Sequence, residues 1–296
     1  MRPIVSYVRD ATPQGWLAGL SLAPLLLCLA GASLAAPASR LSTAPASGHG
    51  VIAVAGPTPP ARGADRTADL GPDRAADRLA EGLSLDLAPL RRIVGQPPPP
   101  GSTALHDDLA ILRWLQANRS AELVAASWMT LARDPAVFAP AIGVDMAKST
   151  PGIKRGLRQF LALVDGASSQ IKQQVRRPRP YASHPDLKPC LPPETGFSFP
   201  SGHASWYTAA AELLADLLPQ RRERLLEMGQ HGAASRVMCG VHYPSDVAAA
   251  QRLGRAAAAQ IIASPQWQSF RLDPAVQVEI QRVNAARPAV LAPLLR

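Results

Sequence analysis

The residues able to do chemistry fall in three short stretches. In the run Ser235-Arg236-Val237-Met238-Cys239-Gly240-Val241-His242-Tyr243-Pro244-Ser245-Asp246, an arginine, a histidine and an aspartate stand close together. A carboxylate one helical turn from a histidine can hold one ring nitrogen, fix the tautomer and leave the other nitrogen nucleophilic. Pro244 suits a first helical turn, which would put His242 just before a helix and Asp246 inside that turn. Read blandly, the pair is a capping aspartate and a packed histidine. A second stretch, Phe199-Pro200-Ser201-Gly202-His203-Ala204-Ser205, joins a hydroxyl, a glycine and a histidine. Gly202 allows the backbone to turn tightly and approach a ligand, and the N–H groups at a helix start favour an anion. Ser201 can add a donor and His203 can exchange a proton, although an ordinary N-cap beside an incidental histidine would look the same. The third stretch holds Lys172 and Arg179-Pro180. Their separation is about two helical turns, so both cations can face one way, and two fixed cations suit a phosphate. Pro178 and Pro180 should break a helix near Arg177 and leave Arg179 free to reach across. Lysine and arginine at a helix end also commonly just face water.

The elements that must position these groups read as helices. Hydrophobic residues make up 47% of the 296-residue chain and aromatic residues only 5%. The apolar mass is mostly alanine and leucine, which are strong helix formers, and strand-type runs are nearly confined to Val51 to Val54. Helical spacing links Leu105, Leu109, Leu112 and Leu115, then Val124, Trp128 and Leu131. It marks Leu157, Phe160, Leu161 and Val164 on a helix ending before Asp165-Gly166, and Ala167, Ile171 and Val175 on the next. Trp206, Ala210, Leu213 and Leu217 form another, stopped by Pro219. A further helix is predicted from about Pro244 to Ile262, and Val276, Ile280 and Val283 give the last. The fold class is therefore all-α, a compact multi-helix domain. Asp107 and Asp108 read as helix N-terminal acids, and His106, His184 and His231 as surface or loop histidines.

The formal charge of +9 suits an anionic partner. The arginines are scattered, and no basic run interleaved with aromatics points to nucleic acid. Residues 16–35 are uncharged and apolar with a small-residue end, so 1–35 reads as a signal peptide cut near Ala35 or Ala36; an uncleaved anchor is the alternative. Residues 36–82, rich in Ala, Pro, Gly and Ser, read as a flexible spacer, and the folded domain as 83–296. No later segment is apolar enough to span a membrane. The three cysteines, Cys28, Cys190 and Cys239, fit no zinc pattern. Cleavage of the leader would leave two, either one disulfide or two buried thiols.

Taken together, Lys172…Arg179-Pro180, Pro200-Ser201-Gly202-His203 and Ser235-Arg236…His242…Asp246 resemble the three-part signature of the type 2 phosphatidic acid phosphatase superfamily, which also holds the vanadium haloperoxidases. The tetra-proline run Pro97 to Pro100, Arg236-Val237-Met238-Cys239-Gly240 and the placement of Cys190 are similar to the bacterial class A non-specific acid phosphatases. The resemblance covers about residues 83 to 285. It implies a secreted or periplasmic, metal-independent and cofactor-free acid phosphatase of broad specificity toward small phosphate monoesters. By that resemblance His242 attacks phosphorus to give a phosphohistidine, Asp246 orients it, and His203 protonates the leaving group and then activates water. Lys172, Arg179, Ser201, Gly202 and Arg236 bind the phosphate. A Cys190–Cys239 disulfide and a homodimer are implied likewise. A vanadate-dependent haloperoxidase is disfavoured by the shortness of the chain and the class A features, and a lipid phosphate phosphatase by the lack of multiple membrane spans. A non-catalytic anion-binding protein would leave the His203, His242 and Asp246 set without purpose.

Overall fold

Alanine and leucine favour helices throughout this chain, and serine, aspartate or proline marks the start of most of them. The computed structural model describes residues 78–286. The expected signal peptide (1–35) and the expected spacer as far as residue 77 lie outside the described residues. Twelve α-helices follow in order: α1 (Leu87–Val94), α2 (Thr103–Asn118), α3 (Ala121–Met129), α4 (Ala139–Ile142), α5 (Met146–Ser149), α6 (Pro151–Val175), α7 (Pro180–Ser183), α8 (Gly202–Leu217), α9 (Arg222–Met238), α10 (Pro244–Ile262), α11 (Pro265–Leu272) and α12 (Pro274–Ala285). No strand occurs among the described residues, so the all-α expectation holds. The side chains of Ser102, Ser120, Ser201 and Ser264 accept N–H groups at the starts of α2, α3, α8 and α11.

Helix α8 is the axis of the domain, packed against α6, α9 and α10. Its aromatic residues Trp206 and Tyr207 join Phe138, Phe160, Trp267 and Phe270 in the main core. The helix contacts are unusually close because glycines face them. A Cβ at Gly232 on α9 would overlap the Tyr207 ring, and one at Gly229 would meet Ala211 and the Tyr207 carbonyl. On α10, a Cβ at Gly254 would press on the backbone of Ser205 and Ala209. Core packing this dense leaves no room for an added methyl group without a backbone shift.

The course of the chain departs from the sequence reading on α6, on α3 and at the start of the domain. The two helices expected on either side of Asp165-Gly166 are one continuous 25-residue helix, α6. Its buried stripe, Leu157, Phe160, Leu161, Val164, Ala167, Ser168 and Ile171, stays in phase across the glycine, and that burial outweighs the roughly 1 kcal/mol cost of a mid-helix glycine. The break comes at Arg176, which takes the left-handed conformation (φ 53°). On α3, Leu131 lies beyond the helix end and Trp128 is exposed. The described fold also reaches ahead of Leu83: Leu79 and Ala80 pack on the core, and the Leu79 N–H is bonded to the Gln159 side chain. The C-terminal ends of α6 and α9 and the N-terminal ends of α8 and α10 carry the three motif stretches to one side of the domain.

Candidate active site

At the start of α10, Tyr243 is the N-cap and Asp246 the third helical residue, and its Oδ2 accepts the Tyr243 N–H at 2.9 Å in a capping box. The same Oδ2 accepts the Ser198 hydroxyl at 2.5 Å and lies 3.4 Å from His242 Nδ1. Both His242 and Asp246 are fully buried. On the other ring edge, Arg179 Nη1 stands 2.9 Å from His242 Nε2. A guanidinium only donates, so Nε2 must be the lone-pair nitrogen and Nδ1 carries the proton toward Asp246. Burial, reinforced by Arg179 and Lys172, holds the His242 pKa well below its ordinary value, and the ring is neutral. Burial also raises the Asp246 pKa, against the opposing pull of Arg177 and Ser198.

His203 follows the Ser201 N-cap by two residues. Its Nε2 lies 3.0 Å from the Leu131 carbonyl, an acceptor only, so Nε2 bears a proton and Nδ1 is the nitrogen facing the site. Burial and the Arg236 charge lower its pKa to about 3. Ser201 is buried and its hydroxyl caps α8 through Ala204 N–H.

The cations converge on the same space. Lys172, Arg179, Gly202 and His203 line a cavity of about 430 Å³. Lys172 Nζ donates to the Phe197 carbonyl at 2.6 Å. Arg236 is fully buried, with no partner for its Nε and Nη1 among the described residues. Burial and Arg179 together lower the Lys172 pKa to about 7. The lysine therefore carries its charge below that pH and loses it above, and phosphate affinity should weaken as pH rises through about 7. Measured as the inhibition constant for sulfate, whose charge does not change in this range, this limb should vanish in Lys172→Arg, because arginine stays protonated; a limb that persists there belongs to another group of the protein.

All eight expected site residues are thus brought together, and Cys190 and Cys239 are disulfide-bonded across a sequence separation of 49. The sequence reading missed four neighbours. Arg177 donates from Nη1 to Asp246 Oδ1 (2.7 Å) and Ser245 Oγ (2.7 Å), and its Nη2 lies 3.3 Å from Asp108 Oδ2. Its guanidinium lies 3.7 Å from the centroid of the Tyr243 ring. Asp108 accepts the Ser245 N–H at 3.0 Å and the Ser245 hydroxyl, so it is a buried strut rather than a helix N-terminal acid, and no acid lies in the first turn of α2. The sequence did hold a signal: Leu105, Asp108, Leu109 and Leu112 fall on one helical stripe, which placed a charge among apolar residues. Ser198 had no such signal. Glu194 had none either; its carboxylate pairs with Arg179 Nη2 at 2.6 Å and with Arg236 Nη2, and lies 3.8 Å from His203 Nδ1. Among the described residues no group of three or more His, Cys, Asp or Glu side chains is placed to hold a metal.

The PAP2 superfamily model matches residues 158–270, the span that holds all three motif stretches. A non-specific acid phosphatase of Salmonella typhimurium is 30% identical over 191 residues, which is 58% of this chain and 74% of that protein. The chain belongs to the PAP2 superfamily. Within it, a non-specific acid phosphatase of Providencia stuartii is 29% identical over the same shares of the two chains. A decaprenylphosphoryl-5-phosphoribose phosphatase of Mycolicibacterium smegmatis is 40% identical over 123 residues, covering 42% of this chain and 62% of that one. As in the sequence-based expectation, the PAP2 domain here is a helical phosphatase-type domain; no helix among its described residues is long and apolar enough to cross a membrane.

Proposed function

We propose that this PAP2 protein is an exported, metal-independent acid phosphatase that hydrolyses phosphate monoesters through a phosphohistidine at His242. The observation that carries this reading is the polarity of His242: Nδ1–H toward Asp246 and the Nε2 lone pair toward the cations. In the first step Nε2 forms a bond to phosphorus while the P–O bond to the leaving group breaks. His203 gives the alkoxide a proton from Nδ1, because Nε2–H is held by Leu131. The same nitrogen then takes a proton from water, which attacks phosphorus and frees His242 and inorganic phosphate. Lys172, Arg179 and Arg236 stabilise the charge on the transferred group, with Ser201 and Gly202 shaping the start of α8. A bound phosphate dianion offsets these cations and raises the His203 pKa from about 3. The alkaline limb of kcat should therefore lie at higher pH than that of kcat/KM.

Export is supported by the apolar segment at 16–35 and the disulfide. On this reading 1–35 is removed, the residues up to about 77 act as a spacer, and the domain runs from the core-packed Leu79 to the C-terminal region, with a homodimer as the expected assembly. The test is a panel of aryl, sugar and lipid-linked phosphomonoesters, with and without chelator and vanadate. Hydrolysis should survive the chelator and be inhibited by vanadate; loss of activity with chelator would refute metal independence. In His203→Ala the alkyl esters should lose about 10²–10⁴-fold while aryl esters with good leaving groups lose much less. Equal losses would remove His203 as the acid.

A further inference from the structure

The two arginines assigned to the substrate phosphate are already bridged. Glu194 Oε2 accepts from Arg179 Nη2 at 2.6 Å, Oε1 accepts from Arg236 Nη2, and Oε1 lies 3.8 Å from His203 Nδ1. Two carboxylate oxygens thus stand where two oxygens of a phosphate would take charge-assisted bonds from the same guanidinium groups. Behind them, Arg179 Nη1 covers the lone pair of a fully buried His242. Arg179 is held in that position by Glu194 together with the Gly196 and Val241 carbonyls. We propose that Glu194 is an intramolecular phosphate surrogate, a latch that substrate phosphate must displace and that re-seats on the arginines to help expel inorganic phosphate.

This inference rests on the phosphatase reading above. The backbone of Glu194 is pinned: its N–H donates to Tyr181 Oη at 2.9 Å, and Tyr181 Oη donates to its carbonyl at 2.8 Å. The side chain is not pinned in the same way. It is 30% exposed at the cavity wall, and its carboxylate is held through ion pairs with Arg179 and Arg236 rather than through the backbone. Burial pushes its pKa up, but Arg179 and Arg236 more than offset this and hold it at about 2, so the latch stays charged at any working pH. Arg236 keeps Nε and Nη1 unpartnered, two donors that Glu194 leaves unused and that a phosphate can take.

A ligand that must displace a seated competitor binds more weakly by the fraction of molecules left open. Glu194→Gln removes the charge with nearly the same shape. Calorimetric titration of the full-length protein with inorganic phosphate should then show a Kd lowered about 10-fold or more relative to wild type. KM should fall likewise for p-nitrophenyl phosphate, and product inhibition should grow stronger. Glu194→Ala must move the same way, and thermal unfolding of both variants checks that they are folded. A merely structural Glu194 predicts the opposite sign, because the arginines would lose their anchor and phosphate would bind more weakly. Unchanged or weaker phosphate binding in folded variants of an active wild type overturns the latch alone. A wild type inactive on every phosphoester overturns the phosphatase reading, and the latch with it.

Discussion

His242→Ala lowers turnover by about 10⁴-fold or more and leaves no phosphoenzyme, the size of loss seen when a covalent nucleophile is removed. The ring has one free lone pair, and the site aims it: Nδ1–H faces Asp246 at 3.4 Å and Nε2 faces the Arg179 guanidinium at 2.9 Å. Among the described residues no second one is placed to substitute. His203 presents Nδ1 toward Glu194, and its Nε2 is held by the Leu131 carbonyl. The Ser201 hydroxyl is buried as the cap of α8. Rapid quench with a labelled aryl phosphate should trap an acid-labile, alkali-stable phosphoenzyme in wild type and none in His242→Ala. Trapping it at wild-type levels in the variant would move the nucleophile elsewhere. Phosphate binding should survive, since Lys172, Arg179 and Arg236 remain.

Arg177→Met should cost about 3–5 kcal/mol of stability, the penalty for leaving buried charges uncompensated. For a domain of this size that is a fall in Tm on the order of 10 °C. Arg177 and Asp246 are 8% and 0% exposed as side chains, and Asp108 is 7% exposed. Without the guanidinium, Asp246 Oδ1 loses its cation, Asp108 loses its ion pair, and the Tyr243 ring loses a cation above its face. Asp246 then relaxes away from His242, and kcat falls about 10²-fold, as expected when a reacting group is misplaced by about an ångström. Arg177 does not line the cavity, so the inhibition constant for inorganic phosphate should stay near wild type. A parallel loss of phosphate affinity would mean that Arg177 is itself a phosphate ligand. Arg177→Lys keeps a charge but not the fork, and should recover only part of both losses.

The contrast between these two residues shows what the sequence could reveal. His242, His203, Asp246 and the clamp residues were legible because their chemistry demands particular residue types at fixed spacing, near helix ends that proline and glycine mark. Arg177 marked only the expected helix break, and its role depends on α2, whose Asp108 lies 69 residues away in sequence. Glu194 was hidden for a different reason. It lies in the irregular segment between α7 and α8, where no period constrains which way a side chain points. Helix α9 escaped because its buried face holds one large apolar residue, Leu225, beside Gly229, Gly232, Ala233, Ser235 and Arg236, which give no apolar stripe. The continuity of α6 was misread from a local breaker, Asp165-Gly166, whose cost the in-phase stripe overrides.

The glycines at the α8 contacts bear on how this enzyme could be altered. His203 rides on one end of α8, Arg236 sits near the end of α9 and Asp246 at the head of α10; the backbone of α8 lies against Gly229 and Gly254, and the Tyr207 ring of α8 lies against Gly232. Each glycine rests against either the backbone of α8 or the rigid Tyr207 ring, so the three rods have little that can give at their joints. A bulkier residue at any joint would shift a whole rod and carry its reactive group out of register. Stabilising substitutions should therefore be sought on outward faces such as Leu272 and Val278, while the two seams of α8, with α9 and with α10, act as the reference surfaces from which the spacing of nucleophile, acid and arginine is set.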